Sequence, residues 1–164
     1  MDTRLLSIYL NDHLAGSRAG LELARRSLRN NEDSPLGDDL VRLVREIEED
    51  RETLEELMDL TDVRRASVKE GGAWLAERLG RLKMNGRLVG YSPLSRLEEL
   101  EGLRLGIEGK RSLWTNLSEV RAGVDAWEGV DFATLIARAE SQIELLESHR
   151  SEAARQAFLL PSPA

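Results

Sequence analysis

The sequence predicts an all-α protein, an antiparallel bundle of four long helices with one additional shorter helix. Three observations carry this expectation. Apolar residues recur at helical spacing through most of the chain. Ser-Pro and Asn-Gly pairs fall where those stripes begin and end. Aromatic residues are only 4% of the 164, so Leu, Ile, Val and Ala must build the core, which suits helix packing better than a sheet.

The first helix is expected from about Thr3 to Arg29, with Leu6, Leu10, Leu14, Leu21, Ala24 and Leu28 on one face and His13 and Ser17 on the same side. Ala15, Gly16, Ala19 and Gly20 flank that stripe. They cost helix propensity and imply close approach of a neighbouring helix. Asn30 to Asp33 is a polar break. Ser34-Pro35 then reads as an N-cap followed by proline at the first helical position. The second helix runs to about Thr61, with Leu40, Leu43, Val44, Ile47, Leu54, Leu57 and Met58 inward. Asp50 and Arg51 interrupt that stripe at its centre.

A shorter third helix, about Ala66 to Met84, places Val68, Gly72, Leu75, Leu79 and Leu82 on one face. Gly71-Gly72 weakens it, Asn85-Gly86 ends it, and Arg87 to Tyr91 form a connector. Ser92-Pro93 repeats the cap signal and opens the fourth helix, to about Arg121. Its apolar side is Leu97, Leu100, Leu103, Ile107, Trp114 and Leu117, with Arg104, Glu108, Arg111 and Thr115 in a polar stripe beside it. Asp131 caps a fifth helix to about Phe158. Phe132, Ile136, Ala139, Ile143, Leu146, Ala153 and Ala157 face inward there, with Arg150 among them. Residues 3–158 are read as one domain and residues 159–164 as a flexible tail that proline keeps out of the helix.

A net charge of −7 and a pI near 5.0 argue against a nucleic-acid partner, because neutralising phosphates needs a basic surface. Cysteine is absent, which excludes disulfides, thiolate metal sites and Cys nucleophiles. No apolar run approaches the ~20 residues of a membrane span, and the N-terminus lacks a signal-peptide pattern. No membrane partner is expected, and the location is expected to be cytoplasmic. There is no Gly-rich phosphate loop, nucleophile elbow or EF-hand loop. Trp74, Trp114 and Trp127 are expected as packing anchors.

The long helices, the short third one with its connector, and the phrasing Glu98-Glu99-Leu100-Glu101-Gly102 ahead of Ile107-Glu108-Gly109 together resemble the ferritin-like superfamily. The rubrerythrin and bacterial stress-protein members are the nearer look, and the resemblance covers about residues 4–158. It implies a site in which two helices each give a carboxylate and two others each a Glu-x-x-His, all inward. This chain departs from that set. The first helix offers His13 and Ser17, and the second offers Ile47 and Asp50 at the motif spacing. The fourth keeps Glu108. The fifth keeps Glu147 but has Arg150 in place of the histidine. No cofactor is therefore expected. The alternative is a di-iron or manganese centre in a divergent metal-dependent oxidoreductase or stress protein.

The same departure suggests an ion-pair layer at mid-bundle. Arg150, with Arg104 or Arg111, would supply positive charge to Asp50, Glu108 and Glu147, and His13 would lie at the layer's edge. Such a layer stabilises little after desolvation but can fix helix register. His13 is expected to hydrogen-bond locally and His149 to be solvated. The function this supports is a non-catalytic bundle acting in protein interaction or assembly. A homodimer is expected, its interface drawn from Leu5, Ile8, Leu23, Leu105 and Leu113, which lie off the main stripes. An anion held by Arg104 and Arg111 is a further reading.

Overall fold

The computed structural model describes residues 2–66 and 91–159. Among the described residues the chain forms four long α-helices and no strand: α1 Thr3–Arg29, α2 Pro35–Leu60, α3 Pro93–Val120 and α4 Phe132–Leu159. Two short 3-10 turns, Arg121–Gly123 and Asp125–Trp127, join α3 to α4. The shorter helix expected at 66–84, with Trp74 and Gly71-Gly72, lies outside the described residues apart from Ala66, which is not helical. The tail from residue 160 lies outside them too.

Each helix starts where a side chain can satisfy its free amides. Asp2 Oδ1 accepts from Arg4 N and Leu5 N at 3.0 and 3.1 Å. Ser34 and Ser92 each accept from the residue three further on, Gly37 N at 3.2 Å and Ser95 N at 3.1 Å, with proline at the first helical position. Asp131 accepts from Thr134 N at 3.0 Å and from its hydroxyl at 2.7 Å. Such caps contribute about 1 kcal/mol each.

The end of α2 carries its own stop. Asp62 has φ of 54°, the left-handed conformation. This lets Val63 N donate to Met58 O at 2.9 Å and Asp62 N to Asp59 O at 3.2 Å, the paired bonds of a Schellman ending. Val63 and Met58, both buried, supply its apolar contact. Beyond it the chain crosses to α1, where Asn11 donates to Arg64 O at 3.1 Å and accepts from Ala66 N at 2.6 Å.

Among the helix pairs, α3 lies closest to α4; α1 packs against both α2 and α3, and α2 meets α4 through longer side chains. In three of these pairs the cross-helix contacts have opposed numbering, falling on one helix as they rise on the other. Arg96 meets Gln156, Arg104 meets Glu147 and Arg111 meets Glu140 between α3 and α4. Arg26 meets Glu99, and Tyr9 meets Asn116, between α1 and α3. Asp39 meets His149, and Glu49 meets Arg138, between α2 and α4.

The core is two apolar clusters stacked along the helices. One centres on Leu21, Ala24, Leu40, Leu43, Leu100, Leu103, Ala139 and Leu146. The other centres on Leu10, Leu14, Leu54, Leu57, Met58, Leu117, Phe132 and the indoles of Trp114 and Trp127. Trp127 also donates its indole N–H to Leu57 O at 3.3 Å.

Several expectations change here. On α4 the inward line is Phe132, Leu135, Ala139, Gln142, Leu146 and Ala153. Ile136 and Ile143 are only half-buried, and Leu135 and Gln142 take their places on a face that keeps the expected Phe132, Ala139, Leu146 and Ala153. Leu23 and Leu113, assigned to an interface, are buried at 7% and 2% exposure. A Cβ added at Gly16, Gly20, Gly106 or Gly109 would meet no atom within 4 Å, so helix contact does not require these glycines. Gly37 is the close-packed one, where a Cβ would lie 2.2 Å from Asn31 O and 2.8 Å from Glu32 O. Loop 30–34 folds down onto the first turn of α2 at that point.

Candidate functional site

Every helix places a polar residue on its inward line, and on α1, α2 and α3 that residue falls between the two apolar clusters. On α1 the line runs Leu10, Leu14, Ser17, Leu21, Ala24; on α2 Leu43, Ile47, Asp50, Leu54, Leu57. On α3 it runs Leu103, Ile107, Lys110, Trp114, Leu117, and on α4 Leu135, Ala139, Gln142, Leu146. Steps of three and four keep one face of a helix. On α1 to α3 the flanking positions belong to different clusters, which sets those interruptions at one level, and Gln142 of α4 joins that level through its bond to Lys110.

Asp50 and Gln142 are each only 2% exposed. Lys110 reaches in from α3 and donates to Asp50 Oδ2 in a tight ion pair and to Gln142 Oε1 at 2.6 Å. Gln142 passes the chain of hydrogen bonds outward by donating from Nε2 to Glu46 Oε2 at 2.7 Å. Arg138, one turn before Gln142 on α4, donates to Glu49 Oε2 at 2.7 Å and places its Nε 3.3 Å from Asp50 Oδ1. That last approach is charge to charge, off the hydrogen-bonding direction, and Asp50 Oδ1 has no hydrogen bond among the described residues. Three helices are thus joined by one polar network carrying two cations and three carboxylates.

Burial dominates the titration of Lys110 and holds its ammonium below the ordinary value of 10.5, while the Asp50 carboxylate pulls the other way. Removing two charges from water costs several kcal/mol per ion, which the pair's attraction and hydrogen bonds offset only in part. The layer orders the core more than it stabilises it.

Of the residues expected in a mid-bundle layer, Asp50 stands in this one. Its partners are Lys110, Gln142, Arg138 and Glu46, which the sequence reading did not single out. Arg104, Glu108, Arg111, Glu147 and Arg150 sit on the solvent side of the α3–α4 pair. There Arg150 binds Glu147 through Nε at 2.9 Å and Nη2 at 2.7 Å, and Arg104 Nε approaches the same carboxylate at 3.3 Å. Arg111 holds Glu108 in the same two-pronged way, at 3.2 and 2.6 Å. These bonds draw the Glu147 and Glu108 carboxyls below their usual range and push Arg150 and Arg111 up. Arg150 leaves the inward line because the true line on α4 passes through Gln142 and Leu146 and then Ala153. His13 is half-buried with its ring edge-on to Tyr9, centroids 4.6 Å apart. His149, expected in solvent, is half-buried with Nε2 2.8 Å from Asp39 Oδ2.

The signal for the missed residues was present. Lys110 lies three after Ile107 and four before Trp114, and Gln142 lies three after Ala139 and four before Leu146. Each fills a gap in an apolar series, as Asp50 does on α2.

A second polar cluster closes the end of the core where α1 stops and α3 starts. Asn31, 4% exposed, donates to Ser27 O at 2.7 Å and to Tyr91 Oη at 2.8 Å, and accepts from Arg96 Nε at 2.8 Å. Tyr91 donates onward to Glu99 Oε2 at 3.1 Å, and Arg26 Nε binds the other oxygen at 2.8 Å. Burial raises the Tyr91 phenol above its ordinary value. This cluster ties the α1–α2 loop to α3.

The donor chemistry at mid-core does not fit a two-metal centre. Asp50 already takes an ammonium, Gln142 is neutral, and Glu46 is engaged by that amide. Among the described residues no group of three or more His, Asp or Glu side chains converges as a metal site. No family model, curated protein or solved structure matches the chain. No described helix is long and apolar enough to cross a membrane.

Proposed function

We propose that this chain is a ferritin-like, antiparallel four-helix bundle with a non-catalytic role in protein interaction or homo-oligomeric assembly. In place of the superfamily's metal centre it would hold a charge-paired polar layer. The observation that carries this reading is the Lys110 ammonium at mid-core, bound to Asp50 and Gln142. An amine held in this way by a carboxylate and an amide oxygen is not free to act as a nucleophile or a metal ligand. The opposed numbering of the cross-helix pairs supports the antiparallel topology.

The assembly part of the proposal rests on apolar side chains left at the surface. Leu5 and Ile8 on α1 are 63% and 51% exposed, and Val120 on α3 is 51% exposed. The Tyr9–Asn116 contact brings these two helix ends side by side. The proposed form is a cytoplasmic homodimer. Elemental analysis of protein grown with iron and manganese supplements tests the non-catalytic reading: no stoichiometric metal is expected, and metal that disappears with Glu108→Ala would overturn it. Size-exclusion chromatography with mass measurement tests the assembly, and a monomer at high micromolar concentration would defeat it.

A further inference from the structure

Where the first turn of α2 faces the last turns of α4, a cleft of about 270 Å³ opens. Its floor is apolar, from Pro35, Leu36 and Ala153, and Arg96, His149, Glu152 and Gln156 stand around it. The volume is roughly that of nine waters at about 30 Å³ each, below the range of drug-sized pockets. A ligand of a few carbons would fill it.

Arg96 differs from the other arginines bonded across helices. Arg26, Arg104, Arg138 and Arg150 all meet carboxylates of a neighbouring helix, Glu99, Glu147, Glu49 and Glu101. Among the described residues Arg96 is held only by neutral amide oxygens, Asn31 Oδ1 at Nε, 2.8 Å away, and Gln156 Oε1 at Nη1, 3.0 Å away. Its guanidinium stands 5.7 Å from the centroid of the Tyr91 ring. Among the described residues Nη2 and the second hydrogen of Nη1 meet no acceptor. The acids nearby are already committed. Glu152 takes Arg155 at 2.8 Å and Gln156 Nε2 at 3.0 Å, and Asp39 takes His149 at 2.8 Å. A fixed, full positive charge beside an apolar floor is thus the cleft's dominant chemistry. Guanidinium pairs with carboxylates by two parallel hydrogen bonds.

We infer that this cleft is a binding site for a small organic carboxylate. Its oxygens accept from the two terminal nitrogens of Arg96, and its short hydrocarbon part rests on Pro35, Leu36 and Ala153. The guanidinium is preorganised by Asn31 and Gln156, so little side-chain ordering is left to the binding step.

The test is calorimetric titration of the full chain with butyrate, n-butanol and inorganic phosphate at low salt. The His149 ring signals in NMR serve as a local reporter. Saturable butyrate binding that shifts those signals is expected, with butanol and phosphate each weaker. Gln156→Glu sets a carboxylate against Arg96 Nη1 and should weaken butyrate by at least about tenfold, the scale of one charge-assisted hydrogen bond. Arg96→Lys keeps the charge, loses the fork and should also weaken it. Unfolding midpoints confirm that both variants are folded. Absence of saturable butyrate binding, or binding unchanged in the folded variants, would overturn the site. Butanol binding equal to butyrate would reduce the cleft to an apolar one and overturn the role of Arg96. Phosphate binding without butyrate would overturn the carboxylate class.

Discussion

Asp50 of α2 and Lys110 of α3 form an ion pair across the middle of the core, and Gln142 of α4 takes another of the ammonium hydrogens. Asp50 is 2% exposed, and if Lys110 is lost only the Arg138 guanidinium remains beside it among the described residues, with Nε 3.3 Å from Oδ1 and off the hydrogen-bonding direction.

Lys110→Met is accordingly expected to cost about 3–5 kcal/mol, the scale of leaving one buried charge without its partner. The double variant Asp50→Leu with Lys110→Met should recover most of that loss and could exceed the parent. Urea unfolding of the four proteins gives the coupling directly; near-additive losses would mean that the pair is not a unit. Arg150→Met is the contrast. Arg150 is half-exposed and bonded mainly to Glu147 one turn away, and its removal should shift the midpoint far less.

The glycines separate into two kinds. Gly37→Ala drives a methyl into the carbonyls of Asn31 and Glu32, which are backbone atoms and cannot swing aside. A loss of about 1–3 kcal/mol is expected, as for other overpacked sites. Gly16→Ala and Gly109→Ala meet nothing within 4 Å and should each raise stability by roughly 0.5–1 kcal/mol through helix propensity. Thermal unfolding of the three single variants decides it, and a stabilised Gly37→Ala would contradict the packing of the 30–34 loop.

Asp62 holds a left-handed conformation with φ of 54° at the end of α2, and the two bonds that close the helix depend on it. Asp62→Gly should stabilise by about 0.5–1 kcal/mol, since glycine reaches that region without Cβ strain. Asp62→Val should destabilise, because a β-branched side chain is poorly tolerated there. Equal midpoints for the glycine and valine variants would argue against the assigned helix ending.

Burial holds the His13 imidazole below its ordinary value of 6.5, with Asp12 opposing more weakly. The unfolded chain then takes up this proton at a higher pH than the folded one. Stability associated with His13 is therefore complete above 6.5 and declines as pH falls through the folded value. His13→Gln should show a shallower loss of stability than the parent between about pH 7 and about pH 5. Urea midpoints at the two pH values measure it, and parallel losses would mean that His13 protonates equally in both states.

The four long helices, the caps Ser34, Ser92 and Asp131, and most of the inward lines of α1 to α3 were legible because Ser-Pro pairs and three-and-four spacing act locally. What was not legible came from two sources. On α4, Ile136 and Ile143 are more apolar than Leu135 and Gln142 are together, so hydropathy put those two isoleucines on the buried face in place of Leu135 and Gln142. That slip carried Arg150 inward on paper and left Gln142 out. Lys110 was overlooked for a chemical reason: a lysine inside an apolar series reads as surface, since lysines are seldom buried unless paired. Its pairing with Asp50 spans 60 residues, and no local pattern records it. Two polar interruptions in facing helices, one acidic and one basic, are the trace such a pair leaves. The end cluster of Asn31, Tyr91 and Glu99 left no comparable trace, because a buried loop asparagine looks in sequence like any other turn residue.

Each half of the core draws on the first helix and the last. Leu10 and Leu14 share a cluster with Phe132 and Leu135, and Leu21 and Ala24 share the other with Ala139 and Leu146. A ribosome releasing this chain would have emitted all of α1, α2 and α3 before either half could close. Asp50 and Lys110 would both be out and able to meet, but with no Gln142 to join them and no last wall to keep water away. The emergence of α4 therefore completes both halves together, and a chain cut short before α4 has no smaller native structure to settle into.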